Sequence, residues 1–370
     1  MIQNGKKITA GILFGGKSAE HEISLQSAKN IYDAIDRSKF DPVLIGIDKT
    51  GKWFLNADAR FLLNADDPRR ITLAPSGEPA ALIPECAGQL SGACRLPKLD
   101  VVFPVLHGPF GEDGTVQGLL KLAGVPFVGS GVTGSALGMD KDVMKKILRD
   151  AGLPVGKFLT LKRHETIPSF AEVKAVLGVA ANVPLFIKPA NMGSSIGINK
   201  VQEETAFLAA AAEAFQYDTK IIIEEFIQGR EIECAVLGNE NPAASVPGEV
   251  IPAGEFYSYE AKYLDENGAA LQIPAKLDEE TQNRIRELSI KVFQALCCDG
   301  LARVDFFLKE DGCIIVNEIN TMPGFTKISM YPKLWEASAG AALVYTDLIT
   351  RLIELAIEKH EKERTVKITR

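Results

Sequence analysis

Two strand-like segments near the end of the chain, joined by a short turn, constrain its fold more than any other feature. The segments are 301–308 and 314–320, and Asp311-Gly312 in the turn between them tolerates the positive φ that a hairpin needs. Side chains of a strand alternate between its two faces, so residues two apart share a face. The polar residues that share faces in this way are Arg303 with Asp305 and Glu318 with Asn320.

These polar residues of the hairpin lie among Val, Phe and Ile. A carboxylate buried in such surroundings is costly unless it is paired with a charge or binds a cation. Carboxylate and amide oxygens are ligands of hard cations such as Mg²⁺, which usually keeps open positions for phosphates. We therefore predict that Asp305, Glu318 and Asn320 bind metal ions.

An alternative interpretation is an amphipathic hairpin whose charged face lies in water. It explains the alternation of polar and apolar residues well. It leaves unexplained why a rigid turn, 321–326, follows directly on Asn320. If the hairpin binds metal, that turn becomes a wall of the substrate site.

Composition and charge favour a small-molecule enzyme. The chain has 370 residues, of which 46% are hydrophobic. At about 150 residues for a typical domain, this length predicts two or three domains. A net charge of −7 argues against nucleic-acid and anionic-membrane partners, since both require a cationic surface. The apolar run 8–14 stops at Gly15-Gly16, too short for a membrane span or a signal peptide, so we expect a cytoplasmic protein.

The order of the predicted elements divides the chain into three regions. In residues 1–131, strands, glycine turns and helices alternate as in an open α/β domain. The glycines at 129–131 mark the boundary to a second region, 132–228. The third region, 229–370, contains the hairpin and a long polar stretch before it. We expect the three regions to pack around a shared cleft.

A glycine- and serine-rich loop, 193–197, follows a strand that ends at Lys188-Pro189. Its backbone N–H groups and hydroxyls are suited to a flexible cover for phosphates. It matches neither the GxxxxGK[ST] phosphate loop nor the GxGxxG dinucleotide motif, so in isolation an ordinary mobile turn is an equally good interpretation.

Charged residues around this loop favour a nucleotide. Lys141 and Lys188 offer two cations for phosphate oxygens, while Glu224 and Glu231 flank the apolar pair 226–227. An apolar slot with carboxylates nearby suits adenosine, whose amine and hydroxyls need acceptors. The alternative is that these glutamates are solvated strand edges.

With these motifs in order, the chain resembles the ATP-grasp superfamily and, within it, the D-alanine–D-alanine ligases. The resemblance covers nearly the whole chain and implies an ATP-grasp fold, α/β in class, with an N-terminal open Rossmann-like domain. It rests on five segments: 15–24 (GGKSAEHEIS), 107–114 (HGPFGEDG), 193–197 (GSSIG), 257–263 (YSYEAKY) and 317–324 (NEINTMPG).

The resemblance also implies a reaction and its participants. Such ligases join two D-alanines through a D-alanyl phosphate, convert ATP to ADP and phosphate, and supply bacterial peptidoglycan synthesis. The expected cofactors are ATP and two Mg²⁺, with Mn²⁺ tolerated, and the expected assembly is a cytoplasmic homodimer. The implied metal ligands are Asp305, Asn320 and a bridging Glu318.

Each residue that matches a family motif receives an implied role. Those that would bind ATP phosphates are Lys141, Lys188, Ser195 and Lys262. Those that would bind adenosine are Glu224, Phe226, Ile227 and Glu231. Those that would contact the substrates are Glu20, His107, Arg303, Gly324, Ser329 and Met330.

Within this set, Glu20 would bind the ammonium group of the first D-alanine. Arg303 and the N–H of Gly324 would form an oxyanion hole. Ser329 and Met330 would bind the second D-alanine. Glu20, Ser194 and Tyr263 would form a hydrogen-bonded triad that latches two mobile loops, and a tyrosine at 263 favours a dipeptide over an ester product.

The neighbours Lys327 and Ile328 depart from the residues of the commonest family version. Three rival functions differ in what they require. Another ATP-grasp ligase would differ at the substrate-binding positions. A binding module without turnover would have lost metal ligands, and an NAD oxidoreductase would need the missing dinucleotide motif.

Overall fold

In the computed structural model, the described residues form three larger β-sheets with helices packed against them. The structure describes residues 6–56, 62–65, 67, 70–74, 78–82, 88–92, 97–252 and 269–367. Within this part of the chain, no helix is both long and apolar enough to cross a bilayer.

The first sheet is formed by the N-terminal part of the chain, in the order β7-β6-β3-β2-β1-β8. Its central strands β2, β1 and β8 run parallel, as expected when helices connect them. The bounds are β1 Ile8–Gly15, α1 His21–Ala34, β2 Phe40–Ile47, β3 Trp53–Asn56, β4 Leu62–Leu63, β5 Thr72–Leu73, β6 Glu78–Leu82, β7 Leu90–Gly92, β8 Val101–Val105 and α2 Thr115–Leu122.

The second sheet is antiparallel, in the order β11-β10-β12-β9. Two helices, α3 and α4, precede it in the chain. The bounds are α3 Val132–Met139, α4 Lys141–Asp150, β9 Phe158–Lys162, α5 Phe170–Leu177, β10 Leu185–Pro189, β11 Asn199–Val201, α6 Glu204–Tyr217 and β12 Lys220–Glu225.

The third sheet contains the hairpin and has the order β16-β15-β13-β17-β18, with β14 paired to β13. Its strand pairs are antiparallel. The bounds are β13 Arg230–Gly238, β14 Ala243–Ala244, β15 Gly248–Pro252, β16 Ala269–Gln272, α7 Glu279–Ala295, β17 Gly300–Leu308, β18 Ile314–Asn320, α8 Met330–Glu336 and α9 Tyr345–Glu363.

One hydrophobic core joins the first sheet to the C-terminal part of the chain. Phe14 and Phe103 of the first sheet share it with Phe325, Trp335 and Leu352, all almost fully buried. The rings of Phe103 and Phe325 meet edge to face with centroids 5.4 Å apart. Such a pair contributes about 0.5–1.5 kcal/mol beyond its buried area. The packing therefore fixes the segment after β18 against the N-terminal sheet.

The predicted ATP-grasp α/β fold is confirmed by this architecture and by the solved structures it resembles. The hairpin forms as predicted, with Gly312 at φ +78° and Gly312 N–H donating to Lys309 O over 3.0 Å. The division at residues 131 and 228 stays a prediction. The described elements that were not predicted from the sequence are β3 to β7, α3, β9, α5, β11, β14, β16 and α8.

Candidate active site

Two adjoining cavities lie between the sheets. The wider, of about 410 Å³, is bordered by β10, β12 and β13, and the narrower, of about 90 Å³, by the N-terminal loops and the turn after β18. The residues that line both are Lys141, Met192, Gly193, Ser194, Val250 and Glu318. A ligand in one cavity can therefore contact a ligand in the other near Glu318.

Glu318 of the hairpin lines both cavities, and Arg303 and Asn320 line the narrower one. Asp305 of β17 lies directly opposite Glu318 of β18, and Arg303 lies opposite Asn320. Directly opposite residues of an antiparallel pair have Cβ atoms about 4.5–5.5 Å apart. The side-chain oxygen of Asn320 accepts the N–H of Met322 over 3.1 Å, which starts the turn that follows the strand.

Arg303 makes the strongest contacts within this group. Its Nε and Nη2 donate to the two carboxylate oxygens of Asp305 over 2.7 and 2.6 Å. Its Nε also lies 3.0 Å from Oε2 of Glu233 on the neighbouring strand β13. A bidentate pair of this kind combines charge and geometry, so it holds the guanidinium in one orientation.

The donor set of the hairpin is chemically suited to a hard divalent cation. Asp305, Glu318 and Asn320 offer two carboxylates and an amide, and cationic groups already contact them: Arg303 at Asp305 and Lys141 Nζ at 3.4 Å from Glu318. Mg²⁺ typically takes one or two protein carboxylates and completes its shell with water and phosphate. Among the described residues, no cluster of three or more His, Cys, Asp or Glu side chains is arranged as a metal site.

In the wider cavity, Glu224 is clamped between two lysines. Lys145 Nζ lies 2.8 Å from Oε1 and Lys188 Nζ 2.6 Å from Oε2, and all three side chains are nearly buried. Burial alone would raise the pKa of Glu224, but the two ammonium groups outweigh it and lower the pKa to about 2. Burial opposes the charge of Lys188 in turn, and Glu224 raises its pKa nonetheless. The cavity floor is therefore a permanently ionised cluster.

Helix α4 positions Lys141 and Lys145. Asp140 caps the helix by accepting the N–H of Val143 over 3.1 Å, and Lys141 and Lys145 lie one turn apart. Lys141 Nζ donates to the main-chain oxygen of Met192 over 2.7 Å. Lys141 thus ties the helix to the loop before Gly193.

The remaining residues predicted to bind ATP also line the wider cavity. They are Ser195, Phe226, Ile227 and Glu231. The N–H of Phe226 donates to Pro184 O over 3.1 Å, so this N–H is already bonded within the protein. Lys262 lies outside the described residues.

Glu20 faces the narrower cavity and contacts both surrounding loops. Ser194 donates its hydroxyl to the Glu20 carboxylate across 174 residues of sequence. Gly108 has φ +73°, and a Cβ there would come within 2.7 Å of Oε2 of Glu20, so a larger residue would displace the carboxylate. Ser194 adopts φ +52°, a strained conformation for a residue with a side chain. Tyr263, the third member of the predicted triad, lies outside the described residues.

His107 is buried behind the cavity, where it holds the turn after β18. Its Nδ1 lies 3.0 Å from Met322 O and must carry the proton, because a carbonyl only accepts. Its Nε2 lies 3.3 Å from the hydroxyl of Ser27, which itself accepts the N–H of Phe325 over 3.1 Å. Burial lowers the pKa of His107 to about 4, so the ring is neutral. The predicted contact of His107 with substrate stays a prediction.

The turn itself brings the other substrate-binding candidates to the cavity wall. Gly324, Ser329 and Met330 all line it. A Cβ at Gly324 would lie 2.8 Å from Oγ of Ser329, so glycine permits this close approach. Oγ of Ser329 accepts the N–H of Thr326 over 2.9 Å. Lys327 and Ile328, the departures noted in the sequence, follow directly, and Ile328 lines the cavity.

Glu112 is a buried acid at the edge of the same cavity. Its Oε1 accepts the N–H of Gly108 over 2.7 Å and lies 4.0 Å from Nδ1 of His107. Burial, together with the negative charge of Glu20, raises the pKa of Glu112 to about 8. Glu112 is therefore largely protonated at neutral pH.

Three of these residues were missed by the sequence analysis: Glu112, Lys145 and Glu233. Lys145 lies four residues after Lys141 in a predicted helix, and Glu233 two residues after Glu231 in a predicted strand. These spacings place Lys145 on the helix face of Lys141 and Glu233 on the strand face of Glu231, so the sequence could have indicated both residues. Glu112 belongs to the 107–114 motif but had been given no role.

Together, the charged nucleotide-sized cavity, the oxygen-rich hairpin and the adjoining acidic cavity define an ATP-grasp ligase that activates a carboxylate. Comparison with known proteins narrows the class. The D-ala D-ala ligase N-terminus family model matches residues 9–130, and the D-ala D-ala ligase C-terminus model matches residues 147–354. The chain belongs to the D-alanine–D-alanine ligase family.

Full-length relatives agree with this assignment. The D-alanine–D-alanine ligase of Shouchella clausii is 57% identical over 367 residues, covering 98% of this chain and 98% of that protein. The D-alanine–D-alanine ligase structure from Coxiella burnetii matches with a TM-score of 0.83 at 38% identity, over 97% of this chain and 96% of that one. The structure of the VanG D-Ala:D-Ser ligase from Enterococcus faecalis matches with a TM-score of 0.79 at 37% identity, over 95% and 100%.

These matches confirm the predicted family, the enzyme class and the expected activity, ATP-dependent ligation of two D-alanines in peptidoglycan precursor synthesis. They do not favour a different carboxylate–amine ligase. The roles of individual residues, the number of metal ions and the assembly stay predictions.

Proposed function

We propose that the wider cavity binds ATP, the narrower cavity binds two D-alanines, and the chemistry takes place where the cavities meet. The observation that carries this proposal is the shared wall at Lys141, Ser194 and Glu318. A carboxylate in one cavity can approach a γ-phosphate in the other there. Proximity of this kind replaces an encounter between two anions in water.

In the first step, a carboxylate oxygen of the first D-alanine attacks the γ-phosphorus, the bond to the β-phosphate oxygen breaks, and ADP leaves. Lys141, Lys188 and Ser195 hold the ATP phosphates, with Lys262 from outside the described residues. Glu224, Glu231 and backbone groups of Phe226 and Ile227 hold the adenosine. The fixed cations offset the repulsion between the two reacting anions.

Two Mg²⁺ ions would be held by Asp305, Glu318 and Asn320. When bound, they supply positive charge to the phosphate oxygens. The support for this proposal is the hard-oxygen donor set, in which Asp305 lies opposite Glu318 and Glu318 lines both cavities. Mn²⁺ has the same preference for oxygen ligands, so it should substitute.

In the second step, the amine of the second D-alanine attacks the carbonyl carbon of D-alanyl phosphate. Phosphate then leaves with the former carboxylate oxygen, and the proton that the amine loses balances on this phosphate as HPO4²⁻. Arg303 and the N–H of Gly324 stabilise the negative charge that grows on the carbonyl oxygen.

Other residues hold the two amino acids during this step. Glu20 binds the ammonium of the first D-alanine, with His107 supporting that end of the cavity. Ser329 and Met330 hold the second D-alanine at its carboxylate. The Glu20–Ser194 bond, extended to Tyr263, closes the loops so that water does not hydrolyse the acyl phosphate.

We further propose that the three regions 1–131, 132–228 and 229–370 are domains that pack closely around this site, in a cytoplasmic homodimer. Sedimentation equilibrium tests the assembly. A dimer mass at micromolar concentration would support it, and a monomer would refute it.

The proposed reaction is tested by phosphate release from Mg-ATP with D-alanine, L-alanine or D-lactate, with the product identified by chromatography. We expect release with D-alanine alone, matched mole for mole by the dipeptide. Release with L-alanine, or release without dipeptide, would contradict the proposal.

A further inference from the structure

Three carboxylates lie in one row across the third sheet, on the face that meets the cavities. The strand register places Glu233 of β13 opposite Asp305 of β17, and Asp305 opposite Glu318 of β18. Like charges directly opposite each other destabilise a sheet. The row therefore requires cations beside it, and Glu233 lies at the end away from Lys141.

Arg303 supplies the positive charge at that end. It is two residues from Asp305 on the same strand and lies opposite Ala235 of β13, a small residue that leaves room for its guanidinium. The Nε atom lies 3.0 Å from Glu233, in addition to the two hydrogen bonds to Asp305. The three side chains are only 11–17% exposed. Charged contacts this well shielded from water are stronger than pairs on the surface.

In the proposed reaction, Asp305 both binds a metal ion and holds Arg303, whereas Glu233 only holds Arg303. As a metal ligand, Asp305 must turn at least part of its carboxylate toward a cation, which weakens its hold on Arg303. Glu233 contacts the guanidinium from a different strand and carries no such role. Its contact lies on the same Nε edge of Arg303 that Asp305 uses.

We infer that Glu233 is a positioning residue that keeps Arg303 aimed at the reacting carbonyl while Asp305 serves the metal. The inference rests on the proposed function, because it assumes that Arg303 stabilises the oxyanion of the second step. Glu233 acts through Arg303 and does not bind the metal. Its loss should therefore slow the second step and leave cation binding intact.

The test replaces Glu233 with Gln, which keeps the shape and removes the charge, and with Ser, in case the first variant does not fold. We expect kcat to fall about 10- to 100-fold, as for loss of a supporting contact, with KM for ATP unchanged. The acyl phosphate should persist longer before the amine attacks it, so more of it is hydrolysed by water. The amount of dipeptide formed per ADP should therefore drop. Mn²⁺ binding in the presence of ADP, followed by electron paramagnetic resonance, should match the wild type.

Two comparisons separate positioning from a merely structural role. In an Arg303→Lys background, E233Q should add little further loss, because both changes act on one group. Glu249→Gln removes another buried carboxylate of this sheet, bonded to Arg230 over 2.9 and 2.7 Å, and should leave the dipeptide-to-ADP ratio unchanged.

The inference is overturned if the folded Glu233 variants keep wild-type kcat and coupling, or if Mn²⁺ affinity falls with kcat. If the wild type itself forms no dipeptide, the proposed function fails, and that result is distinct from a failure of this inference.

Discussion

The imidazole of His107 donates from Nδ1 to the main-chain oxygen of Met322, 215 residues away, over 3.0 Å. The same ring accepts from Ser27, whose hydroxyl also receives the N–H of Phe325. A loop of the first sheet and helix α1 thereby hold both sides of Gly324. The N-terminal sheet thus positions one of the two proposed oxyanion donors.

Replacing His107 with alanine should loosen this turn. Because a small displacement of a positioned group can cost about 10²-fold in rate, we expect kcat to fall about 10- to 100-fold with little change in KM for ATP. Steady-state kinetics with each substrate varied measures both. His164, an exposed histidine of the second sheet region, provides the control, since His164→Ala should behave like the wild type. Equal kinetics for the two variants would refute the positioning role.

Replacing Lys145 with methionine should weaken ATP binding. The change removes one of two cations that hold Glu224 ionised, so its pKa should rise and Lys188 should be drawn further toward it. We expect Kd for an ATP analogue to rise about tenfold or more and the protein to lose stability, since breaking a buried pair typically costs about 3–5 kcal/mol. Isothermal titration with a non-hydrolysable ATP analogue and thermal unfolding measure the two effects.

The neighbouring Lys146 is the matched control for Lys145. Its side chain is 52% exposed and pairs with Asp142 one turn earlier on α4. Asp142 is nearly buried, but it keeps Lys220 Nζ at 3.4 Å and the Thr160 hydroxyl at 2.6 Å when Lys146 is lost. Lys146→Met should therefore leave ATP binding unchanged and cost less stability than Lys145→Met. A Lys145 variant that binds nucleotide as well as this control would contradict the account.

Stability should depend on pH through Glu112. Its pKa is raised to about 8 in the folded protein from an ordinary 4.5, so between these values the folded state keeps a proton that the unfolded state has lost. Folding stability from this group therefore falls as pH rises from 4.5 to 8. Glu112→Gln abolishes that contribution, so urea unfolding should show the variant gaining on the wild type from pH 5 to pH 8. A constant difference between the two proteins would refute the raised pKa.

Ser194 and Ser195 are adjacent but should affect different substrates. Ser194→Ala removes the hydrogen bond to Glu20, so KM for D-alanine should rise about 10- to 100-fold, in line with about 1.5–3 kcal/mol for a bond to a charged group. Ser195→Ala should act mainly on KM for ATP. Steady-state kinetics on the two variants, each under variation of one substrate, gives the comparison. The same pattern in both variants would argue against the assigned roles.

Local patterns predicted a large part of the fold. The hairpin was predictable because period-two alternation and an Asp-Gly turn are both visible within 20 residues. Helix α5 carries a readable signal that was missed: Ser169 accepts from Glu172 N–H, and Glu172 accepts from the N–H of Ser169 in return. A short helix is recognised in a sequence by its capping residues, because too few turns are present for a clear hydrophobic periodicity.

Site residues could be predicted from the sequence only where they belong to a recognisable motif. Lys145 and Glu224 are 79 positions apart in the printed sequence, and no local spacing reveals that they meet. The same holds for His107 and Met322, which the core around Phe103 and Phe325 brings together. The charge of Glu112 also depends on burial, which the sequence does not express. Long-range packing, rather than residue type, decides these features.

The central claim, that a carboxylate in one cavity attacks ATP in the other, is tested most directly with D-alanine labelled by ¹⁸O in its carboxylate. The reaction is run with Mg-ATP, and the released phosphate is analysed by mass spectrometry. The account predicts one ¹⁸O atom in the phosphate for each dipeptide formed, because the attacked phosphorus keeps the carboxylate oxygen. Unlabelled phosphate, or label in AMP, would contradict it.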